Sequence, residues 1–231
     1  MNKLTRLLTL LVVAFGGLGA AKVASADVSY NVGYVTEYYY RGILQKSSSA
    51  SAGIDFEQEG FYVGAWGADV GDGMEIDGYL GYGWESEEGF SASIGFTGYY
   101  YTGNFDDTYE EFNLNLGYKI FGLEYSVGEW DGSGGQDYDF LAASLAFENG
   151  ISITYGTFGD EFDGDYVELA YGTTITEADI DIGVSIILSS DELSDQCDPA
   201  CGSRGNDADG NALPDIATES EAIVFSIGKS F

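Results

Sequence analysis

Ala222-Ile223-Val224-Phe225-Ser226-Ile227-Gly228-Lys229-Ser230-Phe231 is the stretch on which the fold turns. Successive side chains of a strand point to opposite faces. Read that way, Ile223, Phe225, Ile227 and Phe231 share one face, and Ala222, Val224, Ser226, Gly228 and Ser230 share the other. A soluble sheet buries an apolar face and wets a polar one. Here one face is large and apolar and the other mostly small or polar, which suits a strand with lipid outside and a polar lumen inside. The competing reading is an edge strand of a soluble sandwich. The rest of the chain argues against it by repeating the pattern.

Moving outward from this stretch, aromatic and β-branched residues recur at period two, punctuated by Gly and Asp, and read as strands. Twelve are predicted, at about 28–40, 49–58, 61–68, 75–84, 90–101, 108–119, 122–130, 138–148, 151–158, 166–173, 179–190 and 219–231. Most match the ~9–11 residues that cross a bilayer at a tilt. Val28, Tyr30, Val32, Tyr34, Tyr38 and Tyr40 share a face in the first. Phe112, Leu114, Leu116 and Tyr118 do so in the sixth, and Ile180, Ile182, Val184, Ile186 and Leu188 in the eleventh. In the third, Phe61, Val63 and Ala65 are set outward, against Tyr62 and Trp66.

Connections alternate between short and long. Glu59-Gly60, 86–89, Ile120-Phe121, Asn149-Gly150 and 174–178 are short. Those starting near Arg41, Asp69, Thr102, Asp131, Gly159 and Asp191 are longer and rich in Gly, Ser and Asp. Short turns on one side and long loops on the other is the plan of an outer-membrane barrel. An even strand count puts both ends of the domain on the short-turn, periplasmic side. Tyr38, Tyr40, Trp84, Tyr100, Tyr101 and Trp130 sit near strand ends, where interfacial girdles are expected. The predicted fold is therefore all-β: a transmembrane antiparallel up-and-down barrel of about twelve strands.

The chain opens with Lys3 and Arg6, an apolar run over residues 7–18 and the small-x-small site Ala24-Ser25-Ala26. These are the parts of a secretory signal peptide, so residues 1–26 are expected to be removed and 27–231 to form one barrel domain. The run is short for a spanning helix. Asp27 rather than Cys follows the site, which disfavours a lipid anchor. Lys3, Arg6 and Lys22 are three of the eight basic residues, and all 39 acids lie beyond them. Residues 27–231 thus carry five basic against 39 acidic residues. That balance excludes nucleic acid, whose binding needs a basic surface, and favours cations, unless it serves only solubility or a salty habitat.

The long connection 191–218 holds both prolines and both cysteines. Cys197 and Cys201, four apart in an exported chain, are expected to form a local disulfide. Asp207, Asp209 and Asn211 surround Gly210 like part of a calcium loop. The leading Asp and closing Glu of an EF-hand are missing, so calcium is the weaker expectation and a solvated acidic loop the stronger. The connection could cap the barrel or fold into the lumen.

There is no histidine. That excludes Ser-His-Asp chemistry and His-ligated metals, so no enzyme and no cofactor are expected. The inward face carries the function instead. On the predicted register Glu37, Asp55, Glu75, Asp77, Glu111, Glu124, Glu168, Asp179 and Asp181 face the lumen, with Arg41 and Lys119 as basic counterparts. Acidic rings attract cations and repel anions. Gly33, Gly53, Gly81, Gly95, Gly183 and Gly228 on the same face are expected to leave room for a narrow pore.

Residues 32–45, Val-Gly-Tyr-Val-Thr-Glu-Tyr-Tyr-Tyr-Arg-Gly-Ile-Leu-Gln, resemble the opening strand of the TorF-type porin family of small Gram-negative outer-membrane proteins. The likeness continues at Tyr62-Val63-Gly64-Ala65-Trp66 and at residues 75–82, and departs at Ala68-Asp69, where Ser-Asn is the family pattern. A Phe at position 231 closing the last strand resembles the signal read by the barrel-assembly machinery. The resemblance implies a barrel and a porin role, and it supplies no catalytic residues. The expected function is passive diffusion of small cationic or neutral solutes, with outer-membrane lipid and lipopolysaccharide as surroundings. The alternative is a non-conducting barrel whose acidic loops hold divalent cations.

Overall fold

The computed structural model describes residues 27–194 and 221–231. The predicted leader, the cysteine pair Cys197 and Cys201, and the calcium candidates Asp207, Asp209 and Asn211 lie outside the described residues.

Twelve antiparallel strands close into one barrel. They are β1 (Asp27–Val35), β4 (Ser49–Gln58), β5 (Phe61–Gly71), β6 (Gly73–Glu85), β7 (Phe90–Tyr101), β8 (Tyr109–Tyr118), β9 (Phe121–Trp130), β10 (Gln136–Ala146), β11 (Ile151–Asp160), β12 (Asp165–Ile175), β13 (Ile180–Ser189) and β14 (Glu221–Ser230). Each pairs with the next along the chain, and β1 closes the ring on β14 from Asn31↔Ser230 to Val35↔Ser226. Closure leaves no unpaired edge, the condition for a sheet in lipid. Backbone bonds Phe231 N to Tyr30 O (2.9 Å) and Tyr30 N to Phe231 O (3.3 Å) hold residues 30 and 231 together at the short-turn end.

The outward face is the apolar one. Val28, Tyr30, Val32 and Tyr34 on β1, Phe61 and Val63 on β5, Phe112 and Leu114 on β8, and Ile182, Ile186 and Leu188 on β13 are exposed. On β14, Ile223, Phe225 and Ile227 are exposed while Ala222 and Val224 are buried inside the ring. An exposed apolar belt around a closed ring suits lipid and not water. No helix among the described residues is long and apolar enough to cross a membrane, which says nothing of a β-barrel.

Four sequence expectations are corrected. The predicted first strand is broken. β1 stops at Val35, Thr36 and Glu37 bend, and the chain forms a hairpin of β2 (Tyr38–Tyr40) and β3 (Ile43–Lys46) outside the barrel ladder. The bend cancels the parity count, so Tyr38 is buried inside and does not share the outward face of Tyr34. Several ring residues assigned to the girdles also turn inward. Tyr40 meets Tyr99, Tyr101 meets Phe105, and the Trp130 indole N–H donates to Asp106 Oδ1 at 3.0 Å, whereas Trp84 and Tyr100 are exposed. The connection near Asp69 is no long loop: β5 and β6 run on to Gly71 and Gly73, leaving Asp72 between them. Both glycines hold positive φ (93° and 109°), which lets the chain reverse in so little length. Finally, the turn after β8 is at Lys119 and Ile120, one residue earlier than expected.

Inside, two apolar clusters fill the loop end. One gathers Phe140, Ala142, Tyr166, Ile187, Ala222 and Val224 from the wall, with Leu193 from the short helix α1 (Asp191–Ser194). The other joins Tyr38 to Ala68 and Val70.

Candidate functional site

The site is the lumen, and the β2–β3 hairpin decides its shape. At the tip, Arg41 and Gly42 both have positive φ (47° and 81°), as a tight two-residue turn between twisted strands requires. Gly42 suits such a conformation and Arg41 does not. What holds Arg41 there is its side chain, which reaches across the lumen.

The Arg41 guanidinium meets Glu111 as a fork, Nη1 to Oε2 and Nη2 to Oε1, both at 2.9 Å. Nη2 also donates to Glu124 Oε1 at 2.7 Å and to Ser126 Oγ at 3.2 Å. The Phe140 ring lies 4.1 Å and the Tyr40 ring 5.0 Å from the guanidinium carbon. Glu111 takes three more bonds, from the hydroxyls of Tyr99 (2.8 Å) and Tyr138 (2.9 Å) and from Asn113 Nδ2 (2.7 Å). It is 1% exposed and Phe140 is 0% exposed. A buried ion pair offsets its desolvation only when its remaining lone pairs are bonded, and here they are. Position and chemistry agree: a planar, bidentate, aromatic-stacked cation is what arginine supplies and lysine does not.

The rest of the hairpin is tied to the wall on other sides. Tyr38 donates to Glu75 Oε1 at 2.5 Å, Tyr40 to Tyr99 Oη at 2.6 Å, and Ser189 Oγ to the Gly42 carbonyl at 2.6 Å. Lys46 pairs with Asp69 at the rim. A Cβ on Gly42 would meet Tyr166 Cβ at 2.7 Å and Leu193 Cδ1 at 3.0 Å, so the tip is seated closely.

The predicted lumen residues divide by place. Glu75, Asp77, Glu111 and Glu124 are buried inside the ring. Glu168 lies inward between Thr154 and Ile187 in register. Asp55 sits toward the short-turn end, accepting from the Tyr79 hydroxyl and from Asn31 Nδ2. Asp181 lies at that end too, accepting from Thr174 Oγ1 at 2.6 Å. Glu37 occupies the bend at the base of the hairpin, off the strand that the sequence reading gave it. Asp179 is corrected: it is exposed in the turn before β13 at φ 53°, because the strand begins one residue later. Lys119 is corrected likewise, to a turn where its ammonium lies 4.9 Å from the Tyr118 ring. Arg41 is the counter-charge of the lumen interior, deeper than the outer mouth.

Gly53, Gly81 and Gly95 do not leave the room expected of them. The Tyr62 hydroxyl lies 2.3 Å from where a Cβ of Gly81 would stand and 2.4 Å from that of Gly95. Asn31 and Trp66 fill the space over Gly53. Gly53, Gly81 and Gly95 accept a tryptophan or tyrosine ring leaning across the wall, whereas Gly33 faces the Ser51 hydroxyl and Gly228 only backbone.

Asp77 is the unsatisfied member. Its Oδ1 is buried without a hydrogen-bond partner among the described residues. A buried polar oxygen left without a hydrogen bond costs stability, whatever its protonation. Asp77→Asn is therefore expected to raise folding stability by about 1 kcal/mol, while Glu111→Gln lowers it. Urea titration of folding into lipid vesicles reads both; a drop for Asp77→Asn would contradict the assignment. Among the described residues no group of three or more His, Cys, Asp or Glu is placed to hold a metal ion.

The sequence reading missed the hairpin and its partners Tyr99, Tyr138, Ser126 and Phe140. One signal was available: Arg41-Gly42 between Tyr-Tyr-Tyr and Ile-Leu-Gln-Lys reads as strand, turn, strand.

No curated protein sequence matches the chain. Among solved structures, OccD3 (OpdP) of Pseudomonas aeruginosa is 10% identical with a TM-score of 0.42, covering 92% of this chain and 66% of that one. The outer membrane protein OpdK of Pseudomonas aeruginosa is 9% identical (TM-score 0.39; 80% and 58% covered). OccAB2 of Acinetobacter baumannii is 10% identical (TM-score 0.38; 80% and 55% covered). The chain spans less than two thirds of the length of each. A protein family described as "Bacterial protein of unknown function (Gcw_chp)" matches residues 20–187, well over half of the chain, and the chain belongs to that family.

Proposed function

We propose that this protein is an outer-membrane channel for passive diffusion of small cationic or neutral solutes, exported to the outer membrane of a Gram-negative cell. The observation that carries the reading is a closed ring of twelve strands with an apolar outer belt and carboxylates inside. Lipid and lipopolysaccharide meet the belt, and solute meets the carboxylates. The likeness of residues 32–45 to the TorF-type porins supports the same role.

Cation preference rests on the charge balance of the lumen. Arg41 is shared by Glu111 and Glu124. Among the described residues no basic side chain pairs with Asp55, Glu75, Asp77, Glu168 or Asp181. Uncompensated acids raise the local cation concentration. Replacing Glu75, Asp77 and Glu168 together by their amides is expected to move the reversal potential under a potassium chloride gradient toward zero. An unchanged potential would discard these acids as the selectivity determinant.

A second reading is favoured by the packing around Arg41: a barrel that does not conduct and serves a structural role. It predicts no current from the folded, inserted barrel, and stability that rises with calcium through the acidic loops.

A further inference from the structure

The hairpin seated inside the ring takes no part in the barrel's ladder. β2 and β3 pair only with each other, while the twelve spanning strands pair around the full ring without them. The described bonds from hairpin to wall all involve a side chain on at least one partner: Tyr38, Tyr40, Arg41, Lys46 or Ser189. No rung of the ring has to break for the hairpin to leave.

Its two ends are also defined. At one, the Thr36 N–H donates to Phe225 O (3.0 Å) and Thr36 Oγ1 accepts from Phe225 N (2.9 Å), fixing the exit point to β14. At the other, Ser48 has a φ of 85°, beside the start of β4. The segment between them can swing without disturbing the strands on either side.

From this arrangement we infer that the β2–β3 hairpin is a displaceable plug, latched by Arg41 between Glu111 and Glu124. Docked, it shuts the outer half of the lumen; undocked, it opens it. The inference rests on the channel reading above. A two-stranded hairpin is marginal by itself in water, so its ties to the wall, with the Arg41 latch at the tip and the packing of Tyr38, Tyr39 and Ile43 behind it, and not its own ladder, set where it sits. The charges make the latch two-state. Breaking the pair in place would strand buried charge, which is costly. Withdrawing the hairpin instead returns Arg41, Glu111 and Glu124 to water together. Intermediate positions are the expensive ones.

The test is single-channel recording of the refolded chain in planar bilayers of fixed lipid composition. Four proteins are compared: wild type; a variant with residues 38–46 replaced by a short Gly-Ser link; Arg41→Asn; and Arg41→Asn with Glu111→Gln and Glu124→Gln. Insertion and β-structure are checked for each by circular dichroism. The wild type should be mostly closed, with brief openings. The hairpin-less barrel should stay open. Arg41→Asn should raise the ratio of open to closed time at least roughly a hundredfold, the lower end of what an unpaired buried charge does to an equilibrium. The triple variant, which strands no charge, should recover part of the closed fraction. Should Arg41→Asn fold poorly, the hairpin-less barrel alone carries the comparison. Equal conductance with and without the hairpin would overturn the plug and leave the channel standing. Silence from every folded, inserted variant would overturn both.

Discussion

Arg41→Asn is expected to release residues 38–46 from the lumen while the twelve-stranded barrel stays closed. Asn is the informative choice because it tolerates the positive φ of 47° that Arg41 adopts. The change therefore removes the charge without adding backbone strain. Left in place, the hairpin would bury Glu111 and Glu124 without a cation, at a cost of about 3–5 kcal/mol. Loss of the ring contacts to Phe140 and Tyr40 adds to it. Undocking avoids that cost, since the ladder from β1 to β14 does not run through the hairpin. Hydrogen exchange followed by mass spectrometry separates the two outcomes. Amides of residues 38–46 should exchange about a hundredfold faster or more, with β8 and β9 unchanged. If β8 and β9 exchange with them, Arg41 holds the wall and not the plug.

Phe225→Lys is expected to destabilise the folded barrel by about 2–4 kcal/mol, the cost of a lysine on the lipid face near the bilayer midplane. Phe225 is the fifth residue of the ten in β14, is 58% exposed, and stands opposite Val184 on β13. In water such exposure would favour the lysine, so the sign of the effect discriminates lipid from solvent at this face. Phe225→Leu, which keeps the face apolar, should stay within about 1.5 kcal/mol. The measurement is urea-induced unfolding from vesicles. A lysine variant as stable as wild type would contradict the membrane-spanning reading of β14.

The strand rhythm was legible because an apolar outer face and a polar inner one impose opposite demands on alternate residues. β8 obeys them over residues 111–118, and β13 and β14 obey them at their short-turn ends, while Ile187, Ala222 and Val224 turn apolar side chains inward at the other end. The hairpin was not legible by the same rule. Tyr38 and Tyr40 continue the parity of Val28 to Tyr34, and nothing in that count marks the bend at Thr36 and Glu37. The bend is fixed from outside, by the bonds of Thr36 to Phe225, nearly the whole chain away. Gly71, Asp72 and Gly73 misled in the opposite sense. Their composition reads as a loop, yet positive φ at both glycines lets the two strands run to the turn. The acids of the lumen were legible as a set, but their pairing was not. That Glu111 and Glu124 share Arg41 while Asp77 keeps an unpaired oxygen depends on where one hairpin tip lands. Gly53, Gly81 and Gly95 failed for a related reason: a missing side chain on one strand is filled by Tyr62 or Trp66 from another.

The most direct test of the central claim is single-channel recording on the barrel from which residues 38–46 have been removed, under a potassium chloride gradient. The account predicts discrete, long-lived steps whose reversal potential favours potassium. Silence from that variant, shown to be folded and inserted, would contradict the claim that this barrel is a channel.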